Sequence, residues 1–206
     1  MKYLLFREQL LSMGVFSISH VKIFFPDFDS RRLVEWQEKG YIKKIVNKWY
    51  VFSEIELETE SLFLIANKIY NPSYVSLESA FSYYNLIPES VFTITSVSSN
   101  KTTTFHTLIG QFSYRSIKSN IFFGYKMKKF QGSYFDIAEL EKCLLDFLYL
   151  NPTYISLEDF GSLRFNPLVL LEIKWDLLDD YMKVFKNKSL EKRVEGLKRY
   201  FDHVRN

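Results

Sequence analysis

The stretch from Asp29 to Phe52 constrains the fold more than any other part of the sequence. Leu33 and Trp36 have the spacing of an inward-facing pair, so they predict a helix for which Asp29 is a typical N-cap residue. Gly40 is typical of the residue that follows a helix. Two runs come next, YIKKI and WYVF, which are rich in β-branched and aromatic residues and flank a short turn. This pattern predicts a helix followed directly by a β-hairpin.

Two more helices are predicted before this stretch. The first would end at Gly14, and its apolar positions are Leu4, Leu5, Leu10 and Leu11. The second would have Ser19 as its N-cap and would stop at Pro26. Three helices and a hairpin in about fifty residues follow the order of a winged helix-turn-helix, a fold that binds DNA in some proteins and other proteins in others.

The distribution of charge favours DNA at this end of the chain. Residues 1–52 contain nine Lys/Arg and five Asp/Glu, whereas the net charge of the whole chain is only +3. The middle segment, residues 53–135, is nearly balanced, and residues 136–206 are slightly acidic. A basic excess confined to one segment is expected where a polyanion binds.

Seven residues of the predicted helix and hairpin are candidates for DNA binding: Ser30, Arg31, Arg32, Lys43, Lys44, Asn47 and Lys48. At the start of a recognition helix, Arg reads guanine edges and Ser bonds phosphate. Lysines on the hairpin would contact the phosphate backbone. The alternative is that the arginines are solvated helix charges, with Arg31 paired to Glu35.

The sequence becomes acidic after Phe52, and this change in composition predicts a second domain. An acidic connector, residues 53–58, leads to an amphipathic helix, and we therefore expect a DNA-binding domain at 1–55 and a larger domain at 56–206. Five strand-like segments follow in the larger domain: VFTITSV, TTTFHTL, QFSYRSIK, IFFGYKM and SYFDIA. Two amphipathic helices are predicted after residue 162. The expected fold class is α+β, a winged helix-turn-helix followed by a mixed α+β domain with C-terminal helices.

Two segments eighty positions apart are nearly alike, NPSYVSLESAF from Asn71 and NPTYISLEDFG from Asn151. In each, Asn-Pro would stop a preceding helix, because the residue before proline disfavours the α conformation. Ser76 and Ser156 would then cap a new helix. The likeness does not continue beyond these segments. We therefore interpret it as one local pattern, which ends a helix and starts the next, used twice, and not as an internal repeat.

Residue patterns typical of enzymes are weak in this sequence. We expect no catalytic activity, no bound metal and no cofactor. The histidines, which show no ligand spacing, are His20, His106 and His203. The only cysteine, Cys143, lies on the apolar side of a predicted helix. A metal-dependent nuclease is a distant alternative on the basis of four residues: Asp136, Glu139, Glu141 and Lys142. A winged scaffold that binds only protein is a second alternative.

The composition indicates a soluble, cytoplasmic protein with no membrane partner. One cysteine permits no internal disulfide, which fits a reducing compartment. No run reaches the roughly 18 apolar residues of a spanning helix. Arg7 and Glu8 interrupt any signal-peptide core.

Several segments resemble AbiEi-like proteins, the antitoxins and transcriptional regulators of abortive-infection type IV toxin–antitoxin systems. YVSLESAFSYYNLIPESVFTITSVSSNK, from Tyr74, resembles the family segment that runs from Tyr-x-Ser through Ala-Leu to Gly-Leu-Ile. FDIAELEKCLLDFLYL, from Phe135, resembles the family's Glu-(Arg/Lys)-x-Leu-x-Asp helix. The resemblance covers most of residues 15–150. This chain departs from it at Leu77 and Asn85, where glycine is usual, although Asn tolerates a left-handed backbone.

The resemblance implies a repressor of its own operon that binds operator DNA and counters a co-encoded, nucleotidyltransferase-like toxin. In type IV systems the antitoxin acts without a stable complex with the toxin. A homodimer on DNA is compatible with this role. The family's motif residues are expected to be structural, with Ser76 a cap, Ala80 a close-packing position and Asp146 a partner for a backbone or lysine group.

Overall fold

The computed structural model describes residues 2–46 and 48–205, and these form a mixed α+β fold with ten α-helices and two sheets. The helices are α1 (Tyr3–Leu10), α2 (Ile18–Phe24), α3 (Arg31–Glu38), α4 (Thr59–Ile69), α5 (Leu77–Tyr83), α6 (Leu140–Leu150), α7 (Leu157–Ser162), α8 (Pro167–Leu170), α9 (Trp175–Phe185) and α10 (Lys188–Arg205). The strands are β1 (Val15–Ser17), β2 (Ile42–Lys44), β3 (Trp49–Phe52), β4 (Ser73–Val75), β5 (Thr93–Ser98), β6 (Thr103–Thr107), β7 (Gly110–Ser116), β8 (Tyr125–Phe130) and β9 (Ser133–Ala138). Single 3-10 turns occupy Leu11–Met13 and Ser119–Ile121.

The described residues up to Phe52 form an antiparallel three-stranded sheet in the order β1-β3-β2, with three helices around it. The hairpin of β2 and β3 was predicted, but β1 was not, because three residues are too few for an alternating pattern to be recognised. One face of the sheet packs on the helices through an aromatic core. That core contains Phe6, Leu10, Phe16, Val21, Phe28, Leu33, Trp36, Ile42, Tyr50 and Phe52.

The opposite face of the small sheet is buried as well. Val15, Ile45 and Val51 belong to the large hydrophobic core that fills the rest of the molecule. Ile55 and Leu57 of the acidic connector pack against this core too, while the neighbouring Glu54, Glu56 and Glu58 are exposed. The division at residue 55 remains a prediction, and the two parts share packed side chains across it.

Two predictions for the first two helices need correction: the N-cap of α2 and the buried side of α1. The N-cap of α2 is Ser17 and not Ser19. Ser17 Oγ accepts the backbone N–H of His20 at 3.3 Å, and His20 Nδ1 accepts the N–H of Ser17 at the same distance. In α1 the buried side chains are Phe6 and Leu10, whereas Leu4 and Leu5 are 62% and 47% exposed. Aromatic packing with neighbouring elements decides which side of α1 faces inward, and the leucine spacing alone did not reveal it.

The third helix confirms its predicted anchors. Leu33 and Trp36 are buried, and the Trp36 ring lies 4.5 Å from that of Phe6, centroid to centroid. Gly40 has φ +71° and ends the helix, as predicted. Its N–H donates to the carbonyl of Gln37, and the N–H of Tyr41 donates to the carbonyl of Trp36 at 2.9 Å, which is a Schellman ending.

The second sheet has six strands in the order β6-β7-β5-β4-β9-β8 and is of mixed direction. Strands β4 and β9 are parallel, as are β5 and β7, and the remaining pairs are antiparallel. The predicted strand segments are confirmed except for the start of IFFGYKM. Residues 121–124 lie outside any strand, and β8 begins at Tyr125.

Helices cover both faces of this sheet. The hydroxyl of Tyr114 in β7 donates to the carbonyl of Ala66 in α4, and the guanidinium of Arg115 donates to the carbonyl of Leu150 in α6. Because successive side chains of a strand point to opposite faces, α4 and α6 lie on opposite sides of the sheet. Hydrogen bonds between Ser79 and Thr95 hold α5 on the α6 side.

The two similar segments behave alike up to their serines and then differ. Helix α4 ends just before the first Asn-Pro pair, and helix α6 ends at the second Asn-Pro pair, as predicted. Ser156 caps α7 by accepting the N–H of Asp159 at 3.1 Å. Ser76 occupies the N-cap position of α5 but makes no capping bond, because its hydroxyl donates to Asp146 instead.

The C-terminal region contains three helices where two were predicted. The first predicted helix is interrupted between α8 and α9. The last helix has four basic residues close together, Lys192, Arg193, Lys198 and Arg199, but Arg193 is buried and Lys198 pairs with Asp179 at 2.7 Å. Among residues 2–46 and 48–205, no helix is both long enough and apolar enough to cross a membrane.

Candidate nucleic-acid interface

The start of α3 carries the first three candidate residues. Ser30 holds the N-cap position, without a side-chain capping bond, and Asp29 takes over that role through its Oδ1 atom, which accepts the N–H of Arg31 at 3.0 Å. Leu33 and Trp36 fix the inner side of the helix in the aromatic core. The first turn of α3 is therefore held at a defined angle, with its outer side facing solvent.

Arg31 does not pair with Glu35, as the alternative interpretation supposed. Its side chain is 92% exposed, and its guanidinium binds the carboxylate of Asp29, with an NH2–Oδ2 distance of 2.9 Å. The hydrogen bonds from the Arg31 side chain and backbone lower the pKa of Asp29. Asp29 is the nearer partner because the helix start already directs its carboxylate at the Arg31 amide.

Arg32 has the weaker ion pair of the two arginines. Its closest carboxylate oxygen, on Glu35, lies 4.0 Å away, and its side chain is 40% exposed. Glu35 is held mainly by Lys39, one turn further along, at 2.7 Å. The guanidinium of Arg32 is therefore available to an incoming acceptor at little electrostatic cost.

Two exposed residues of α2 and α3 were not among the candidates. Val34 is 55% exposed and lies three residues after Arg31, on the same outward side of α3. Lys22 is exposed in the last turn of α2. Periodicity cannot identify either, since an exposed valine has the same residue type as a core valine and a single lysine is common on any helix.

The hairpin carries the other candidates. Lys43 and Lys44 are exposed, and their strand neighbours in β3 are Val51 and Tyr50. Because side chains alternate along a strand, only Lys44 projects on the face that packs against the helices. Lys48 lies in the turn with φ +70°, and its carbonyl accepts the N–H of Ile18 at 3.0 Å, which ties the turn to the start of α2.

The structure therefore distributes the predicted residues over two neighbouring elements of one small sheet unit. Ser30, Arg31 and Arg32 lie at the start of α3, and Lys44 and Lys48 lie on the hairpin that follows it. Lys43 projects from the other face of the hairpin. Asn47 lies outside the described residues.

A second polar cluster lies deep inside the larger part, between α6 and β4. Its members are Tyr74, Ser76, Lys142 and Asp146, and all four are fully buried. Asp146 Oδ2 accepts the hydroxyls of Tyr74 (2.9 Å) and Ser76 (3.0 Å). Lys142 Nζ donates to Asp146 Oδ1 and to the oxygen of Tyr74 (2.7 Å).

Burial controls the ionisation of this cluster. It lowers the pKa of Lys142 and raises that of Asp146, and the attraction between the two groups opposes both shifts. The ammonium also faces the rings of Tyr74, Phe123 and Phe185, with centroids 5.2–5.4 Å away. Every polar atom at the centre of the cluster already has a partner, so we assign it the role of holding α6 against β4. The expectation that Asp146 pairs with a lysine is confirmed.

Three of the four residues of the nuclease alternative are engaged with different partners. Glu141 accepts the backbone N–H of Lys174 at 2.9 Å, Glu139 accepts the hydroxyl of Tyr181, and Lys142 points into the buried cluster. Within the described ranges, no three His, Cys, Asp or Glu side chains are grouped as metal ligands would be.

Comparison with known proteins adds no relative. No protein-family model matches the chain, and no curated protein matches it significantly.

Proposed function

We propose that the chain is a DNA-binding transcriptional repressor whose first 55 residues form a winged helix-turn-helix. The observation that supports this most is the succession α1, β1, α2, α3, β2, β3 around a sheet of order β1-β3-β2. In this arrangement α2 and α3 are the helix-turn-helix and the β2–β3 hairpin is the wing. A helix of this kind enters the major groove with its N-terminal residues against base edges.

In the proposed complex, the start of α3 reads sequence. Arg32, and Arg31 once it is released from Asp29, would donate to guanine O6 and N7. The Asp29–Arg31 pair is exposed and therefore weak, so a phosphate or a base can replace the carboxylate. Val34 is placed to contact a thymine methyl group.

The wing and the first helix of the motif would supply contacts that do not depend on sequence. Lys44 and Lys48 are exposed at the hairpin, and Lys22 is exposed at the end of α2. Such lysines release counterions from the duplex when they bind phosphate, so each contributes to the salt dependence of affinity.

The test is a titration of fluorescently labelled duplex DNA. The DNA upstream of the gene is compared with a scrambled duplex of equal length, at several salt concentrations. Arg32→Ala should remove roughly 1–3 kcal/mol of discrimination between the two duplexes. Lys48→Ala should weaken binding to both duplexes alike and reduce the salt slope by about one unit.

Lys129→Ala is the matched control, since Lys129 is an exposed lysine on β8, outside the proposed interface. It should bind both duplexes as the wild type does. If the wild type shows equal affinity for the two duplexes at every salt concentration, the proposal of a sequence-specific repressor is wrong.

We further propose that the chain is an AbiEi-like antitoxin of a type IV system, acting in the cytoplasm. The backbone supports the resemblance at its two departures. Leu77 and Asn85 stand where the family usually has glycine, and both have positive φ, +60° and +55°. Glycine adopts this conformation without cost, so the backbone keeps a shape that fits the family's residue even where the residue has changed.

The proposed partners are the operator DNA of its own operon and, through antagonism without a stable complex, a co-encoded toxin. Co-expression of the toxin with this chain should restore growth. Reading the neighbouring gene tests the same proposal from the genome: a nucleotidyltransferase-like product supports it. Failure of the wild-type chain to restore growth would leave only the DNA-binding proposal.

A second candidate function is a winged scaffold that binds protein. It is favoured by apolar side chains on the outer surfaces of α1 and α2, where Leu4, Leu5, Ile23 and Phe24 are exposed. Leu5 and Phe24 line a shallow groove with Phe28. This candidate predicts no affinity for either duplex and loss of partner binding in a Leu5→Ser/Phe24→Ser variant, whereas the DNA-binding proposal predicts that this variant still binds DNA.

A further inference from the structure

The two edges of the six-stranded sheet differ in a way that affects association. Strand β8 forms one edge and carries three lysines, Lys126, Lys128 and Lys129. Lysine on an edge strand prevents pairing with another chain. Strand β6 forms the other edge, and its sequence, TTFHT, has no lysine, arginine, carboxylate or proline. Only the β8 edge is protected in this way.

The register of the β6–β7 hairpin identifies the backbone groups that face outward. Thr107 and Gly110 close a two-residue loop, and a closing pair of this kind exchanges both hydrogen bonds. Hydrogen-bonded pairs alternate along the ladder, so Phe105 and Thr103 also direct their backbone groups toward β7. Thr104 and His106 therefore direct their N–H and C=O groups outward.

The outer edge of β6 is uncovered in the part of the chain that the structure describes. Its ladder neighbour is β7 alone, and the side chains of Thr104 and His106 are exposed. Phe105 points to the opposite face, where its ring lies 5.8 Å from those of Tyr70 and Tyr114. The strand is thus held firmly on one side and open on the other.

We propose that β6 pairs antiparallel with β6 of a second copy of this chain, across a two-fold axis at Phe105. In this register Thr104 of each copy faces His106 of the other, and each of these two pairs exchanges two backbone hydrogen bonds. The two Phe105 residues form the close, non-hydrogen-bonded pair on the axis. This register overlaps the whole of the five-residue strand with its copy.

A second copy of the chain is the expected partner of β6 because this strand is complementary to itself. A strand that carries no Lys, Arg, Asp or Glu brings no like charges together when it meets itself, whereas β8 would place lysines against lysines. An aromatic pair at the non-hydrogen-bonded position adds cross-strand stabilisation. Antiparallel pairing of identical strands is an isologous contact, which closes at two copies and leaves no further edge of this kind.

A cysteine cross-link tests the register. In the proposed dimer the two Phe105 Cα atoms lie within the range that a disulfide spans, so Phe105→Cys should form a covalent dimer under mild oxidation. Thr104→Cys is the matched control. Its counterpart across the axis is His106, and the two copies of residue 104 are too far apart to bridge. The native Cys143 is fully buried.

Met127→Cys, on the exposed surface of β8, is a second control and should not cross-link. Cross-linking of Thr104→Cys or Met127→Cys as fast as Phe105→Cys would overturn the proposed register. Absence of a cross-link in Phe105→Cys, with the protein folded by circular dichroism, would overturn it as well.

Sedimentation of the full chain tests the association without cysteine. The wild type should reach twice the 24.6 kDa of one chain as its concentration rises. Thr104→Pro removes one outward N–H per copy at a position where an edge strand tolerates proline, and it should raise the dissociation constant about tenfold or more. A wild type that stays monomeric at all concentrations, or a dimer that Thr104→Pro leaves unchanged, would overturn the proposal. The inference does not depend on DNA binding.

Discussion

At the residue scale, two ionisable side chains have environments that predict measurable behaviour. His20 lies at the start of α2, against the Trp49 ring, and Asp146 lies in the buried cluster behind β4. Neither role follows from residue type, because an isolated histidine and a helical aspartate are common at surfaces. Each is defined by the partners that the fold brings to it.

His20 should make stability depend on pH. Desolvation, followed by the charge of Lys68, lowers its pKa in the folded state, and its Nδ1 must stay unprotonated to accept the Ser17 N–H. A folded pKa below the unfolded value means that this stabilisation is present above about pH 6.5 and is lost as the pH falls.

Thermal unfolding between pH 7.5 and 5 measures the effect of His20. The melting temperature of His20→Gln should fall less than that of the wild type, by roughly 1–3 °C, because glutamine keeps the capping contact without titrating. Identical pH profiles for wild type and His20→Gln would contradict the assignment.

Asp146→Asn should be strongly destabilising. The change keeps the shape of the side chain but leaves the buried Lys142 without its counter-charge, at a cost of about 3–5 kcal/mol in the free energy of unfolding. Urea titration measures this change in the free energy of unfolding. Asp179→Asn is the control, because its pair with Lys198 is partly exposed and should be worth less than about 1 kcal/mol. Equal costs for the two variants would mean that the buried pair carries little energy.

At the element scale, the end of α3 decides how the β2–β3 hairpin follows this helix. Gly40 adopts a left-handed conformation, and a Cβ placed there would meet nothing within 4 Å. Substitution at this position therefore affects the backbone conformation and not the packing. Gly161, within α7, also has open space around it but has an ordinary helical conformation.

Gly40→Ala and Gly161→Ala should change stability in opposite directions. Alanine at residue 40 would be strained by about 1–2 kcal/mol, which should lower the free energy of unfolding and weaken the proposed DNA binding if the β2–β3 hairpin is displaced. Alanine at residue 161 should stabilise by about 0.4–1 kcal/mol, because it restricts the unfolded chain. Chemical denaturation of the two variants beside the wild type checks this, and a stabilised Gly40→Ala variant would contradict the left-handed end of α3.

At the scale of the whole molecule, the small sheet joins the two parts of the chain. Its helix-facing side closes the aromatic core, and Val15, Ile45 and Val51 on its other side enter the large core. The proposed DNA contacts all precede residue 55, whereas the two segments that carry the proposed antitoxin role, from Tyr74 and from Phe135, follow it. Repression and antitoxin action should therefore be separable by substitution even though the two parts are packed together.

An Arg31→Ala/Arg32→Ala variant should lose promoter repression yet still restore growth against the toxin, since both arginines are exposed and contribute little to folding. Ala80→Leu should do the reverse, because Ala80 is fully buried in α5 and overpacking costs about 1–3 kcal/mol. A promoter reporter and a co-expression growth assay measure the two activities, with protein level followed in each variant. Loss of rescue in the double arginine variant at normal protein level would tie antitoxin action to DNA binding.

Local sequence signals suffice for the elements that are specified within a few residues. The inward pair of Leu33 and Trp36, the glycine that ends α3, the hairpin after it and the alternating strands β5, β6 and β7 all follow from periodicity and turn chemistry. These signals need no partner, because helix and strand periods are properties of the backbone. The mixed α+β class follows from their order.

The partner that each side chain meets depends on long-range packing, which local signals do not contain. Ser76 and Ser156 each follow a tyrosine and a β-branched residue and precede Leu-Glu, yet one donates to a buried aspartate and the other caps a helix. Likewise, Val15 and Phe16 are adjacent but enter different cores, because β1 is sandwiched between α1–α3 and the larger part. Hydrophobic burial is non-directional, so a sequence marks a side chain as apolar without stating which surface will cover it.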